Sequence, residues 1–108
     1  MTEKFKDKKY IIAIDHGTSG MKVALISTDG EVIDWVFREV ELILPGPGAA
    51  EQDPQEWWDK FISASKELLE KNQKYVKEIV GISNTSQWSG TVPLDKNGDP
   101  LMNCIIWM

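Results

Sequence analysis

Two residue types that build reactive centres are almost missing from this chain of 108 residues: it holds one cysteine, Cys104, and one histidine, His16. A lone cysteine excludes an internal disulfide framework, and a lone histidine excludes a multi-histidine metal site. Cys104 sits in an apolar stretch with no Cys/His pattern around it, which predicts a buried, inert thiol. Excess positive charge is missing too. The formal net charge is -5, which argues against a broad nucleic-acid footprint and requires any anionic ligand to be held locally. Long hydrophobic runs are also lacking. Residues 1–9 are charged, and the apolar run after them, Tyr10–Ile14, is too short for a signal sequence or a membrane span. These absences lead to the expectation of a cytoplasmic protein without nucleic-acid or membrane partners. What remains, 42% hydrophobic and 27% charged residues, is the composition of a soluble globular domain with room for one core.

Tyr10-Ile11-Ile12-Ala13-Ile14 is a continuous, largely β-branched apolar run, the pattern of a strand buried on both faces. It ends at Asp15. His16-Gly17-Thr18-Ser19-Gly20 offers two glycines for a tight turn, and Met21–Ile26 resumes the strand pattern, which predicts a hairpin. Thr28-Asp29-Gly30-Glu31 contains an Asp-Gly pair that favours positive φ, so Val32–Val40 should return as a third strand and complete an antiparallel meander. Leu44–Ala50, rich in proline and glycine, reads as a loop.

Asp53-Pro54-Gln55-Glu56 has the form of a helix start, with Asp53 as N-cap, Pro54 at the first helical position and Glu56 able to reach back in a capping box. Trp57, Trp58, Phe61, Ile62, Ser65, Leu68 and Leu69 then recur at helical spacing, which predicts a helix packed on the sheet with both tryptophans in the core. Ile79–Ile82 reads as a fourth strand running into the polar segment Ser83–Gly90. Thr91–Leu94 and Leu101–Trp107 flank Asn97-Gly98, a strong hairpin signal.

An acid at the end of a buried strand, followed by a glycine-rich turn with hydroxyls, sets a carboxylate beside backbone N–H groups. Gly17, Thr18 and Ser19 can approach a phosphate, Lys22 can add positive charge, and Asp15 can hold Mg2+ directly or through water. By itself such a turn is more often only a turn. The order of the segments says more. Asp15-His16-Gly17-Thr18-Ser19-Gly20, then Glu51-Gln52-Asp53-Pro54-Gln55-Glu56-Trp57-Trp58, then Ile82–Asp95 with Ile105-Ile106-Trp107, resembles the amino-terminal domain of the FGGY carbohydrate kinases. The resemblance covers nearly all of the chain from Tyr10 onward.

It implies an α/β fold of the ribonuclease-H-like, actin-like ATPase superfold, with residues 10–108 forming an incomplete sugar-binding half. It implies ATP and Mg2+ as cofactors, with Asp15 at the metal and Gly17, Thr18 and Ser19 at the ATP phosphates, where Lys22 can add its charge. It also implies sugar contacts from Gln87, Trp88, Ser89 and Trp107. Glycerol kinases of the family carry an Arg-Glu pair after this glutamine, where the chain has Trp88-Ser89. Xylulokinases read close to Gly-Gln-Met-His-Gly there, against Ser86-Gln87-Trp88-Ser89-Gly90 here. Xylulose is therefore the leading substrate and glycerol is disfavoured. The general base lies beyond this segment in the family, so no catalytic residue is assigned within the chain, and the chain alone is expected to lack kinase activity. An uncovered sheet surface is expected to drive self-association, and the full-length protein is expected to be a homodimer.

Read from the residues alone, Trp88 and Trp107 fit ordinary core or partner-facing aromatics as well as sugar contacts, and Lys22 fits an exposed strand lysine. The resemblance implies a different residue type at the position of His16, which makes it a tolerated loop residue. Two other functions stay open on the same residues: an actin-like or chaperone-type nucleotide switch using the same turn, and an interaction domain with no ligand.

Overall fold

The computed structural model describes residues 8–108, so most of the charged tail, residues 1–7, lies outside it. The core is a four-stranded sheet in the order β3-β2-β1-β5, made of β1 (Tyr10–His16), β2 (Gly20–Ser27), β3 (Val32–Glu39) and β5 (Ile79–Ser86). β1 to β3 form the antiparallel meander, and β5 returns parallel to β1. A parallel return needs a crossover. It is supplied by helix α1 (Pro54–Lys71) and a 3-10 segment, Gln73–Glu78. A second, two-stranded sheet pairs β4 (Glu51–Gln52) with β6 (Cys104–Ile105).

The turn between β2 and β3 forms as its Asp-Gly pair dictates. Gly30 takes a φ of 94°, and Ser27 closes the loop by donating its backbone N–H to the Glu31 carbonyl at 2.8 Å. The first hairpin is built differently from expectation. Neither Gly17 nor Gly20 has positive φ. Gly20 is instead a close-approach residue: a Cβ there would stand 2.3 Å from the Arg38 carbonyl and 2.5 Å from the Phe37 ring. The glycine lets β3 lie against the start of β2.

Asp53 caps α1, its carboxylate accepting from the Gln55 amide at 2.9 Å, and Pro54 opens the helix. Glu56 does not close a capping box. It turns outward and accepts the Glu41 amide at 3.0 Å, tying the preceding loop to the helix. Ala64 and Leu68 are fully buried on the sheet beside Val23 and Leu25, with Trp57 and Phe61 packed against the same cluster. Burial of Leu68 alone contributes about 2 kcal/mol. Trp58 departs from the core reading. It is 59% exposed and leans on Phe61, because one residue beyond Trp57 is a rotation of roughly 100° away from the buried seam.

The helix covers β2 and β3 on one face only. Contrary to a strand buried on both faces, Ile11 and Ala13 of β1 are half-buried, and the opposite face of the sheet presents Val32, Trp35 and Phe37 to solvent. The Asn97-Gly98 turn forms, with Gly98 at φ 86° and its amide bonded to the Asp95 carbonyl at 3.0 Å. Its arms do not make a regular hairpin. They touch through isolated bridges, Leu94 to Pro100 and Thr91 to Ile105, while Cys104 and Ile105 pair with β4 instead. Pro93 and Pro100 lack ladder donors, which limits extended pairing there. Cys104 is buried, and burial raises its pKa, as an inert thiol requires.

Candidate functional site

Because β1 and β5 are parallel, their carboxyl ends meet at one edge of the sheet, the position where open α/β sheets hold ligands. The Gln87 amide donates to the His16 carbonyl at 2.7 Å, extending that junction one residue past β5. The β1–β2 turn lies beside it, held by Gly17 N–H to the Gly20 carbonyl at 2.9 Å and by Val40 N–H to the Ser19 carbonyl at 3.1 Å. Among the described residues, nothing accepts the amide hydrogens of Thr18 and Ser19. They are donors available to an anion.

Side chains alternate across a strand, so Asp15 and His16 leave the end of β1 on opposite faces. Asp15 lies on the uncovered face. It stands across the hairpin from Lys22, Oδ2 to Nζ at 3.8 Å, with both side chains more than half exposed. The two border a depression of about 320 Å³ that also includes Ala13, Trp35 and Thr85. His16 lies on the helix face and meets Trp57 edge to face, with ring centroids 4.4 Å apart. It closes a strand rather than decorating a loop. Its Nε2 is buried without a hydrogen-bond partner, and burial lowers its pKa while the Asp15 carboxylate opposes that shift.

Thr18, Gln87 and Trp107, far apart in sequence, are joined in one polar cluster. Thr18 Oγ1 donates to Gln87 Oε1 at 3.1 Å and accepts from Trp107 Nε1 at 2.8 Å. At the centre is Gln52, fully buried on β4. Its Oε1 accepts from Gln87 Nε2 at 2.8 Å and from Trp57 Nε1 at 3.1 Å, and its Nε2 donates to the Thr18 carbonyl at 2.6 Å. An indole nitrogen can only donate, so Trp57 fixes which way the Gln52 amide points. Gln52 then fixes Gln87, and Gln87 claims the Thr18 proton. Trp88 and Ser89 follow directly and point into solvent, Trp88 at 74% exposure and Ser89 at a left-handed φ of 56°.

The sequence reading missed Gln52 and Trp57 as members of this cluster. A glutamine next to a helix cap in an otherwise amphipathic pattern was the available signal, since a polar residue inside apolar surroundings needs partners. Among the described residues no group of three or more His, Cys, Asp or Glu side chains could enclose a metal. A single exposed carboxylate still suits Mg2+, which keeps several waters and takes its remaining ligands from phosphates. Gly17 leaves room beside it: a Cβ there would meet only ordinary contacts, 3.4 Å to the Gly20 carbonyl and 3.9 Å to Asp15 Oδ1.

A meander returning through a helix to a parallel strand, with an acid and a glycine turn at its carboxyl edge, is the opening of an actin-like ATPase fold of the ribonuclease-H-like class. Residues 10–108 match the N-terminal domain of the FGGY family of carbohydrate kinases, and the chain belongs to that family. It is 37% identical over 100 residues to a xylulose kinase of Staphylococcus epidermidis, a match spanning 93% of this chain and 20% of that protein. It is 38% identical over 102 residues to a glycerol kinase of Listeria monocytogenes, spanning 94% of this chain and 20% of that one. A solved structure named as a "xyloylose kinase" from Brucella ovis superposes with a TM-score of 0.87 at 32% identity, over 91% of this chain and 21% of the other. The chain therefore spans about a fifth of the length of the curated relatives it matches. No helix among the described residues is long and apolar enough to cross a membrane.

Proposed function

We propose that this chain forms one wall of the phosphoryl-transfer cleft of an ATP-dependent kinase whose substrate is a ketopentose such as xylulose. The observation that supports this reading most is the Thr18–Gln87 hydrogen bond at 3.1 Å, which ties the glycine turn to the end of β5. In this reading the free amides of Thr18 and Ser19 receive ATP phosphate oxygens, with Gly17 allowing close approach and Lys22 adding charge. Asp15 holds Mg2+, which when bound offsets charge on the phosphates. Gln87 keeps one amide hydrogen and one lone pair for a sugar hydroxyl, Trp88 and Trp107 offer apolar faces to sugar C–H groups, and Ser89 offers a hydroxyl. No residue of this segment takes the general-base role.

The xylulose assignment is supported by the absence of an Arg-Glu pair after Gln87, where Trp88-Ser89 stands. Similarity to xylulose and glycerol kinases is nearly equal, so the choice rests on these two residues. A cytoplasmic site of action belongs to the same proposal, since ATP is the phosphate donor. So does self-association of the chain through the uncovered face carrying Val32, Trp35 and Phe37.

The test is a screen of a full-length kinase carrying this segment, with ATP and a panel of pentuloses, polyols and hexoses. ADP release stimulated by a pentulose is the expected result. Stimulation by glycerol alone would reverse the substrate assignment, and stimulation by no sugar would remove the kinase reading.

A further inference from the structure

Nothing in the phosphate and sugar assignments gives Gln52 a task, yet it is the most constrained polar side chain of the region. It is completely buried and uses three hydrogen bonds to reach three separate elements: the β1–β2 turn at Thr18, the end of β5 at Gln87 and helix α1 at Trp57. A buried amide is costly unless its partners are supplied, so a glutamine that finds all three is specified by its surroundings. We infer that Gln52 is a positioning residue that sets the polarity of the Gln87 amide and locks it to the phosphate turn. The inference rests on the kinase reading.

The direction of each hydrogen bond is set by what its donor and acceptor can do. Trp57 and Trp107 stand at the two ends of the chain of contacts, and each indole can only donate. Starting from Trp57, Gln52 must present its oxygen to the indole, so the same oxygen receives the Gln87 amide hydrogen and the Gln52 nitrogen turns to the Thr18 carbonyl. Gln87 is then left with its oxygen toward Thr18, whose proton it takes. At the other end, the Trp107 indole donates to the Thr18 oxygen, which has lone pairs to accept while its proton goes to Gln87. The Trp57 end sets the arrangement and the Trp107 end is compatible with it. If either glutamine flipped, a nitrogen would face an indole N–H or a hydroxyl proton would lose its acceptor.

For the proposed reaction this matters because Gln87 has only one remaining hydrogen and one remaining lone pair. Which of them meets which sugar hydroxyl depends on the orientation Gln52 imposes. Gln52 touches neither sugar nor nucleotide in this arrangement; it acts through Gln87 and through the Thr18 backbone.

The experiment has two arms. In the 108-residue chain, Gln52→Met keeps side-chain length and removes the amide. The expected result in 15N NMR is a shift of the Gln87 side-chain amide and of the Trp107 indole resonance, with Gln52→His, which keeps one donor and one acceptor, restoring most of it. Should the buried variant not fold, Trp57→Phe, at a half-buried position, serves instead: it removes the donor that orients Gln52 and should shift the Gln87 side-chain amide, and an unmoved resonance overturns the inference. In a full-length kinase carrying the segment, Gln52→Met should raise the sugar KM about tenfold, the effect of one misplaced hydrogen bond. A purely structural role would lower only the active fraction, leaving KM unchanged, and that result overturns the inference. If the wild-type kinase turns over no sugar while the NMR shifts persist, the kinase reading fails and Gln52 is reduced to a structural hub.

Discussion

Asp15 and Lys22 stand opposite each other across the first hairpin, carboxylate to ammonium at 3.8 Å, on the face of the sheet that α1 leaves uncovered. An ion pair this exposed contributes little to stability, and its members are free to exchange partners. Asp15→Ala should therefore change the unfolding free energy of the chain by no more than about 0.5 kcal/mol. In a full-length kinase carrying the segment the same change should lower kcat by at least about a hundredfold, as loss of a charge-stabilising group does. Denaturation and ADP-release assays on the same variant separate the two. Unfolding of the Asp15→Ala chain would mark the carboxylate as structural.

Gly20 gives a prediction of opposite character. With the Arg38 carbonyl 2.3 Å from the place a Cβ would occupy, Gly20→Ala must push β3 away from β2. The cost should be about 2–3 kcal/mol, read as a lower urea midpoint at unchanged slope. Gly17→Ala meets nothing closer than 3.4 Å and should cost less than half as much.

The different fates of these two glycines show how far the sequence carried. Hydrophobic periodicity and the Asp-Gly turn were enough for the meander, and Asp53-Pro54 for the start of α1, because both are local physics. The reason for Gly20 was not legible, since it depends on β3 residues Phe37 and Arg38 lying over it. The same holds for Gln52, whose partners Thr18 and Gln87 are 34 and 35 positions away. Trp58 was misplaced because a wide apolar stripe does not reveal which residues a single sheet face will cover. The third hairpin failed for a related reason: Cys104 and Ile105 found β4 as a partner, and a strand of two residues leaves no pattern in sequence. The segment order that defines the family was visible throughout, but the join between Thr18 and Gln87 appears only once β1 and β5 are parallel neighbours.

His16 predicts a pH dependence. Burial holds its pKa below the ordinary value of 6.5, so the folded state binds the proton more weakly than the unfolded chain. Its contribution is complete above pH 6.5 and is lost as the pH falls through the lower folded value. The depressed carboxylates Asp29, Asp34 and Glu67 act in the same sense, but their losses begin nearer their ordinary values of 3.8 to 4.5. Stability measured between pH 7.5 and about 5 should thus decline in the wild type and flatten in His16→Phe. An equal decline in both would place the titrating group elsewhere.

The uncovered sheet face supplies a prediction about assembly. Trp35, 59% exposed beside Val32 and Phe37, is its largest apolar side chain. Sedimentation of the 108-residue chain should show self-association that Trp35→Lys weakens, while the fold, read by circular dichroism, stays the same. A wild-type chain that remains monomeric at high concentration would exclude this face as a self-association surface.

Whether the turn after Asp15 and the residues after β5 serve one reaction is decided by a structure of a full-length kinase carrying this segment with ADP, Mg2+ and a pentulose bound. It should show a phosphate oxygen at the Thr18 and Ser19 amides, the metal on the Asp15 side of the turn, and a sugar hydroxyl within about 3 Å of the Gln87 side chain. A nucleotide bound away from the turn, or a sugar that does not touch Gln87, would contradict it.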